Sequence, residues 1–378
     1  MAPVSKRVEL ARLLEQRVVV LKTIAKKLAD KEKKKVTHAK CQKATYRFFS
    51  QKVQYLLRNN EIKTIVGVEQ STFEKLLKII KKTESPVPHK LRVVIFLKFC
   101  REGSSQNALS RSVGLSQPSL SRIISACIKD LVDVAHEYIR FPNTKAEILC
   151  MQEKFANRMD VNGTTRGVPC YAVLDGKHWR TDRPPHTGSL NYNYKGFFSY
   201  NSLFLSDSDS RILYCQISKL GVNSDSQLFR NGPLEQILKR AADTYGLRAL
   251  PNSNVLMPAF VLADNGFASS KTVVMPYRAS QLISSDHIRF NKIISASRVK
   301  IENLFGIMTS KFQIFARNLR LDPALSRALI VACSVIHNIS LPPLQVPAYD
   351  FSDDQVYPDP YRTPEQQRTA LKDYLLNR

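Results

Sequence analysis

Two short apolar runs in this chain each end directly in an aspartate. YAVL precedes Asp175, and AFVLA precedes Asp264. A carboxylate next to a buried strand costs free energy unless a cation or hydrogen bonds compensate it. If the two strands are neighbours, the carboxylates lie side by side at the strand ends and repel each other, so a divalent cation is their natural counter-charge. The pattern therefore predicts a sheet with an acidic edge, and oxygen-only ligands favour Mg²⁺ or Mn²⁺ over Zn²⁺.

Two further acids complete the candidate site. Glu302 lies in a helical pattern beside an apolar stripe and shares its face with Arg298, so it either points toward the two aspartates or pairs with Arg298 at the surface. Asp225, in GVNSDSQ, is expected in a loop or at a strand end, where capping a turn is the alternative to binding metal. A two-metal site of this kind activates a water or 3′-hydroxyl and stabilises the leaving oxygen. The expected buried stripe consists of Ile301, Leu304, Phe305, Met308 and Phe312.

The charge of the chain predicts a polyanionic partner. Its 378 residues include 57 Lys or Arg and 32 Asp or Glu, a formal net charge of +25. DNA is the partner that we expect, and a generally basic surface of ribosomal type is the alternative. Residues 1–60 carry sixteen Lys or Arg against four Asp or Glu. This basic arm is interpreted as a solvated helix, a partly disordered segment, a DNA-phosphate-binding arm or a nuclear-import signal.

A helix-turn-helix pattern lies at about 105–128. It has a small residue in the first helix, Ser110, and a glycine in the turn, Gly114. The apolar positions around the turn and in the second helix are Val113, Leu115, Leu120 and Ile123. Ser116 is placed to cap the second helix. The exposed positions of that helix are expected to face the DNA major groove; they are Gln117, Ser119, Ser121 and Arg122. An ordinary helical hairpin remains the alternative.

The change in residue pattern along the chain predicts four regions. Helical periodicity continues to about residue 160, strand-length runs follow, and the helical pattern returns from 285 to about 340. This order predicts an α/β or α+β catalytic domain, of which α/β is the class that we expect. The expected regions are a basic arm at 1–60, a helical region at 61–150, a catalytic domain at 151–340 and a tail at 341–378.

The cysteines and apolar runs bear on redox state and compartment. The seven cysteines are scattered without metal-ligand or disulfide spacing, so we expect buried, reduced thiols. The chain start has no signal-peptide core and no stretch suits a membrane span, which predicts a soluble intracellular protein without a membrane partner.

The ordered motifs of the chain resemble those of Harbinger-type transposases and the nucleases derived from them, within the DDE superfamily of endonucleases. The family motifs are D-G-T-H, N-x-K-G-x-x-S-x-N, G-S-x-x-D-S, G-D-x-G-Y, fN with R-x-x-V-E-x-x-F-G, and L-H-N. The matching segments are Asp175–His178, Asn193–Asn201, Gly221–Ser226, Ala263–Phe267, Phe290–Asn291 with Arg298–Gly306, and Ile336–Asn338. The departures from the motifs are Lys177 for Thr, Ala263 for Gly and Phe267 for Tyr, and Lys177 would either contact phosphate or weaken metal binding.

The resemblance implies a ribonuclease-H-like catalytic core behind an all-helical helix-turn-helix region. It also implies that Asp175, Asp225, Asp264 and Glu302 bind the metal, with Asp175, Asp264 and Glu302 as the catalytic triad. Lys195 and Arg298, the basic residues of the motifs, are the DNA-contact candidates of this core. A Myb-like DNA-binding partner protein and a nuclear location follow by the same analogy, and oligomers are compatible with it.

The expected function is therefore a metal-dependent DNA endonuclease or transposase. It would hydrolyse phosphodiester bonds at transposon ends, and a full transposase would then join the freed 3′-hydroxyl to target DNA. The alternative is a domesticated, sequence-specific DNA-binding protein without cleavage activity. A structural basic protein of ribonucleoprotein type is a third class, which the ordered motifs disfavour.

Overall fold

The fold mixes helices with a β-sheet, in agreement with the predicted α/β class. The structure is a computed structural model that describes residues 3–159, 163, 167–185, 187–352 and 357–378. In the first helix, Pro3–Arg58, the described side chains are those of residues 22–24, 26–37 and 39–58. Parts of the predicted basic arm, catalytic domain and tail thus lie outside the described residues.

The chain divides into two compact units. The helical unit comprises Met1–Glu61 and Ser105–Arg122, and the sheet unit comprises Ile62–Ser104 and Ile123–Arg378. The helices before the first strand are α1 Pro3–Arg58, α2 Lys63–Val66, α3 Gln70–Ile79, α4 His89–Glu102, α5 Gln106–Val113, α6 Gln117–Asp133, α7 Ala135–Tyr138 and α8 Lys145–Ala156.

The helical unit is built on a close contact between α1 and the turn that follows α5. Gly114 ends α5 with a φ of +71°, and a Cβ at this position would lie 2.3 Å from the backbone nitrogen of Tyr46. Glycine is therefore required both by the left-handed backbone and by the approach of α1. As predicted, Ser116 caps the following helix, because its Oγ accepts the Ser119 N–H at 3.4 Å. The two helices and glycine turn are present, while their role in DNA binding stays a prediction.

The sheet unit contains a five-stranded mixed sheet in the order β3-β2-β1-β6-β7. Strands β1, β2 and β3 are antiparallel, whereas β6 runs parallel to both β1 and β7. The strands are β1 Ala172–Arg180, β2 Ser199–Ser206, β3 Ile212–Ile217, β6 Val261–Leu262 and β7 Val273–Val274, and β4 Arg248–Ala249 pairs with β5 Leu256–Met257 in a separate small sheet.

Helices alternate with these strands and follow them. They are α9 Asp225–Asn231, α10 Leu234–Tyr245, α11 Ser285–Lys311, α12 Pro323–Ile339 and α13 Pro364–Leu376, with short 3-10 turns at Ala279–Gln281 and Gln313–Ala316. The predicted stripe of α11 is confirmed, because Ile301, Leu304, Phe305, Met308 and the following Phe312 are all buried.

An aromatic cluster fixes α11 on the sheet. The ring of Phe305 lies 6.4 Å from that of Trp179 on β1 and 5.5 Å from that of Phe204 on β2, both edge to face. Such pairs stabilise a contact beyond the area that they bury. The helix that carries Glu302 is therefore held at a defined position against β1 and β2.

Two sequence expectations about side chains and spans have clear outcomes. The cysteines of the described residues are free thiols, but Cys41 is exposed on α1 and Cys215 is half-buried, so the expectation of burial is wrong for these two. Among the described helices, none combines the length and apolarity needed to cross a lipid bilayer.

Candidate active site

Asp175 and Asp264 lie at the same level of two adjacent parallel strands, β1 and β6. Val173 on β1 pairs with Leu262 on β6, so each aspartate lies two residues beyond this pair. The carboxyl ends of parallel neighbours meet at one edge of a sheet, which is the arrangement that the two apolar runs predicted. The expected strand end at Asp175 is wrong, however. Strand β1 continues to Arg180, because its antiparallel partner β2 pairs with it well beyond the point where β6 stops.

The carboxyl group of Asp175 is short of counter-charge. Burial, together with the negative charges of Asp264 and Asp225, raises its pKa to about 6. The Gly176 N–H, which donates to Asp175 Oδ1 at 2.8 Å, and the charge of Arg298 act in the opposite direction. The three aspartates therefore lie within electrostatic reach of one another, and Arg298 is the cation on the same side.

Asp225 begins a helix, whereas the sequence had suggested a loop or a strand end. It is the first residue of α9, and Ser224 and Gln227 form a capping box around it. That box satisfies the backbone of the first turn, so the Asp225 carboxylate is not used as the cap. Its Oδ1 accepts from Asn201 Nδ2 at 2.7 Å. Burial raises the pKa of Asp225, whereas the Asn201 bond and the charge of Lys195 lower it.

Gly176 makes room for the Asp225 carboxylate. A Cβ at position 176 would lie 2.1 Å from Cγ of Asp225 and 2.2 Å from both of its carboxylate oxygens. No side chain tolerates such distances, so the second residue of the D-G pair has a steric reason to be glycine. Asp264 is held locally, since its Oδ1 accepts the Gly266 N–H at 2.8 Å.

Glu302 lies on an exposed face of α11. No salt bridge joins it to Arg298, although both residues are described, so the alternative of a surface pair is not realised. Within the described part of the chain, no three His, Cys, Asp or Glu side chains are already arranged as ligands of a metal ion.

The residues present nevertheless fit a hard divalent cation better than any other group. The three aspartates offer only carboxylate oxygens, the ligands that Mg²⁺ and Mn²⁺ prefer. The raised pKa of Asp175 is the second indication: it results mainly from burial and additionally from the charges of Asp264 and Asp225, and a bound cation would lower it. The Nε atom of Arg298 is buried without a hydrogen-bond partner, so this side of the site also has capacity for an anion such as phosphate.

The basic candidates fall in two places. Lys195 is exposed on the loop between β1 and β2, and its charge acts on the pKa values of Asp225 and His178, which places it beside the acids. Lys177 packs over the ring of Phe305 at 5.5 Å. The helix-turn-helix candidates all lie at the start of α6 in the helical unit: Gln117 and Arg122 are exposed, and Ser119 and Ser121 are half-buried.

The sequence analysis assigned no role to three polar residues that shape the site, namely Asn193, Ser199 and Asn201. Asn193 Nδ2 donates to Ser199 Oγ at 2.7 Å, and Ser199 Oγ is hydrogen-bonded to His178 Nδ1 at 2.9 Å. Asn201 connects β2 to Asp225. Asparagine is depleted from strands, so its presence inside the apolar run FFSYNSLFLSD was a usable signal.

Comparison with known proteins shows what this arrangement is similar to. Residues 174–338, a segment that contains all four candidate acids, match the family described as "DDE superfamily endonuclease". The match confirms the resemblance inferred from the motifs.

Several similar proteins share one name. The "Putative nuclease HARBI1" of Xenopus laevis is 23% identical over 289 residues, covering 74% of this chain and 77% of that protein. The protein of the same name from Homo sapiens is 25% identical over 254 residues, or 66% of each chain. No solved structure matches the chain. A nuclease- or transposase-related function is thus supported by both kinds of sequence comparison.

Proposed function

We propose that this protein is a divalent-metal-dependent DNA endonuclease of the transposase type. The observation that carries the proposal is the convergence of Asp175, Asp225 and Asp264 from three elements at one sheet edge inside the segment that matches the DDE superfamily endonuclease family. The order of three antiparallel strands followed by two parallel ones supports a ribonuclease-H-like core. The excess of basic residues supplies the attraction for the polyanionic substrate.

The roles of the residues follow from their placement. Asp175 and Asp264 would hold the metal, Asp225 would add a third carboxylate, and Glu302 would join them once DNA and metal are bound. When bound, Mg²⁺ or Mn²⁺ supplies a Lewis acid that activates water and stabilises the leaving oxygen. Arg298, with its unpartnered Nε, and Lys195 would bind the phosphates that flank the bond to be cut.

The helical unit would position the DNA, with Gln117, Ser119, Ser121 and Arg122 at base edges and the basic α1 along phosphates. The substrate would be transposon ends, with strand transfer to a target as a second step. A nuclear location and a Myb-like DNA-binding partner complete the proposal by family analogy.

One observation favours a second candidate function. Because no three His, Cys, Asp or Glu side chains of the described residues are already arranged as metal ligands, a DNA-binding protein that retains the fold without cutting is the alternative. The two functions differ in whether metal-dependent cleavage accompanies binding.

The deciding experiment measures nicking of plasmid DNA with Mg²⁺ or Mn²⁺, and DNA affinity separately in EDTA. We expect EDTA to stop cleavage. Asp175→Ala and Glu302→Gln should each reduce cleavage by at least about 100-fold and leave the DNA affinity nearly unchanged. Asp243→Asn, which removes an exposed acid of α10, is the matched control and should cut normally. DNA binding without cleavage under any metal condition would establish the second candidate, and cleavage that survives both substitutions would refute the site.

A further inference from the structure

The loop between β1 and β2 presents a tyrosine to solvent beside the candidate active site. The side chain of Tyr194 is 84% exposed, although an aromatic ring gains free energy when it is buried. Its neighbours in this loop include Lys195, whose Nζ lies 5.4 Å from the ring centroid. An exposed ring next to a cation is the combination that proteins use to bind an unpaired nucleotide.

The position of this ring is fixed by the loop. Asn193 Oδ1 accepts from the backbone N–H groups of Lys195 at 2.9 Å and Phe197 at 3.4 Å. The ring of Tyr194 also meets the ring of His178 edge to face, with centroids 5.8 Å apart. Because both the backbone and the ring edge are held, little conformational entropy would be lost when a planar ligand stacks on the ring.

A short series of contacts links this ring to the acids. His178 lies three residues after Asp175 on β1 and pairs across the sheet with Asn201, which donates to Asp225. The charge of Lys195 reaches the same aspartate. Tyr194 is therefore placed to contact a nucleotide whose phosphate lies near the acidic edge.

We propose that Tyr194 stacks on an unpaired base beside the candidate active site, while Lys195 binds the backbone of that nucleotide. In a continuous duplex both faces of each base are covered by neighbouring bases, so only an unstacked or flipped base can offer its face to the ring. The preferred DNA would thus carry an unpaired nucleotide at the cleavage position. This inference rests on the proposed DNA-binding function but not on cleavage.

The test compares two DNA molecules with the full-length protein in EDTA. One is a paired duplex, and the other has the same sequence with one unpaired 2-aminopurine, whose fluorescence is quenched by stacking. We expect Tyr194→Ala to lower affinity for the unpaired substrate by about 10-fold, within the range of base–aromatic stacking, and to abolish the quenching. Tyr194→Phe and Tyr194→Trp should retain both, and Tyr357→Ala, which removes another exposed tyrosine of the sheet unit, is the control.

The outcomes separate this inference from the proposed function. The stacking role would be overturned if Tyr194→Ala lowered the affinity for both DNA molecules equally, or for neither, and the quenching were retained. The endonuclease proposal would then remain intact. Absence of DNA binding by the wild-type protein would overturn both. Absence of cleavage in Mg²⁺ together with the expected quenching would overturn the endonuclease proposal only.

Discussion

The carboxylate of Asp225 occupies the space in which a side chain at Gly176 would lie. An ideal Cβ at position 176 would be 2.1 Å from Cγ of Asp225. The two residues are 49 positions apart in the sequence and belong to β1 and to the first turn of α9. A candidate metal-binding residue and a glycine are thus coupled sterically across two elements.

Replacing that glycine should separate activity from stability. In Gly176→Ala the new methyl group must displace the Asp225 side chain, which is able to rotate away, so we expect cleavage to fall by at least about 100-fold. The free energy of unfolding should fall by only about 1–3 kcal/mol, the usual cost of overpacking. Gly306→Ala, where a Cβ meets open space, shows what a methyl group without a clash does to stability. A Gly176→Ala protein that cuts normally would contradict this coupling.

Asn201 should set the metal requirement through its bond to Asp225. Asn201→Ala removes the 2.7 Å hydrogen bond to Oδ1, and loss of such outer contacts commonly costs about 10–100-fold in metal affinity or activity. The Mn²⁺ concentration for half-maximal cleavage should therefore rise, with activity partly restored at high Mn²⁺. Asn338→Ala loses hydrogen bonds to backbone oxygens elsewhere in the sheet unit and serves as the control. An equal Mn²⁺ requirement in both variants would assign Asn201 a purely structural role.

A buried aspartate remote from the acidic edge should make stability depend on pH. Burial raises the pKa of Asp207 to about 6, and the charge of Asp209 acts in the same direction, while the backbone N–H of Arg211, donated at 2.8 Å, lowers it. Because the folded-state pKa lies above the ordinary 3.8, the stabilisation present below pH 3.8 is lost as the pH rises through 6. Chemical denaturation of Asp207→Asn, which keeps an acceptor oxygen, should therefore show a stability gain of about 1–3 kcal/mol over wild type at pH 7.5 and little at pH 4. A gain that is the same at both pH values would exclude this cause.

The basic α1 should contribute through phosphate contacts. Residues 22–58 contain twelve Lys or Arg and two acids. Lys33, Lys34 and Lys35 are exposed on this helix, so replacing all three by Gln should make the dependence of log affinity on log salt less steep by up to about 3. The matched control replaces three exposed lysines in or near α3, namely Lys75, Lys78 and Lys82. Equal slopes in both triple variants would remove α1 from the DNA interface.

Local patterns predicted the parts of this structure that depend on neighbours in sequence. The apolar runs before Asp175 and Asp264 form adjacent strands, and the spacing around Phe305 gave the buried stripe of α11. The start of α9 was not predicted, although Ser224 and Gln227 have the spacing of a capping box, which is a sequence signal for a helix start.

Other features depend on contacts between distant segments. The extension of β1 to Arg180 follows from its pairing with β2, and no run of residues near Asp175 encodes that register. The contact between Gly176 and Asp225 likewise depends on how α9 packs against β1. Packing of this kind is cooperative, so the motifs identified the candidate acids without giving their distances.

The aromatic contacts of Phe305 limit how the fourth acid can reach the other three. Phe305 follows Glu302 by three residues, and its ring meets both Trp179 and Phe204. Sliding or rotating α11 would have to break these edge-to-face contacts. If Glu302 joins the aspartates as proposed, a change of its rotamer does so with the contacts intact, and α11 then serves as a fixed support.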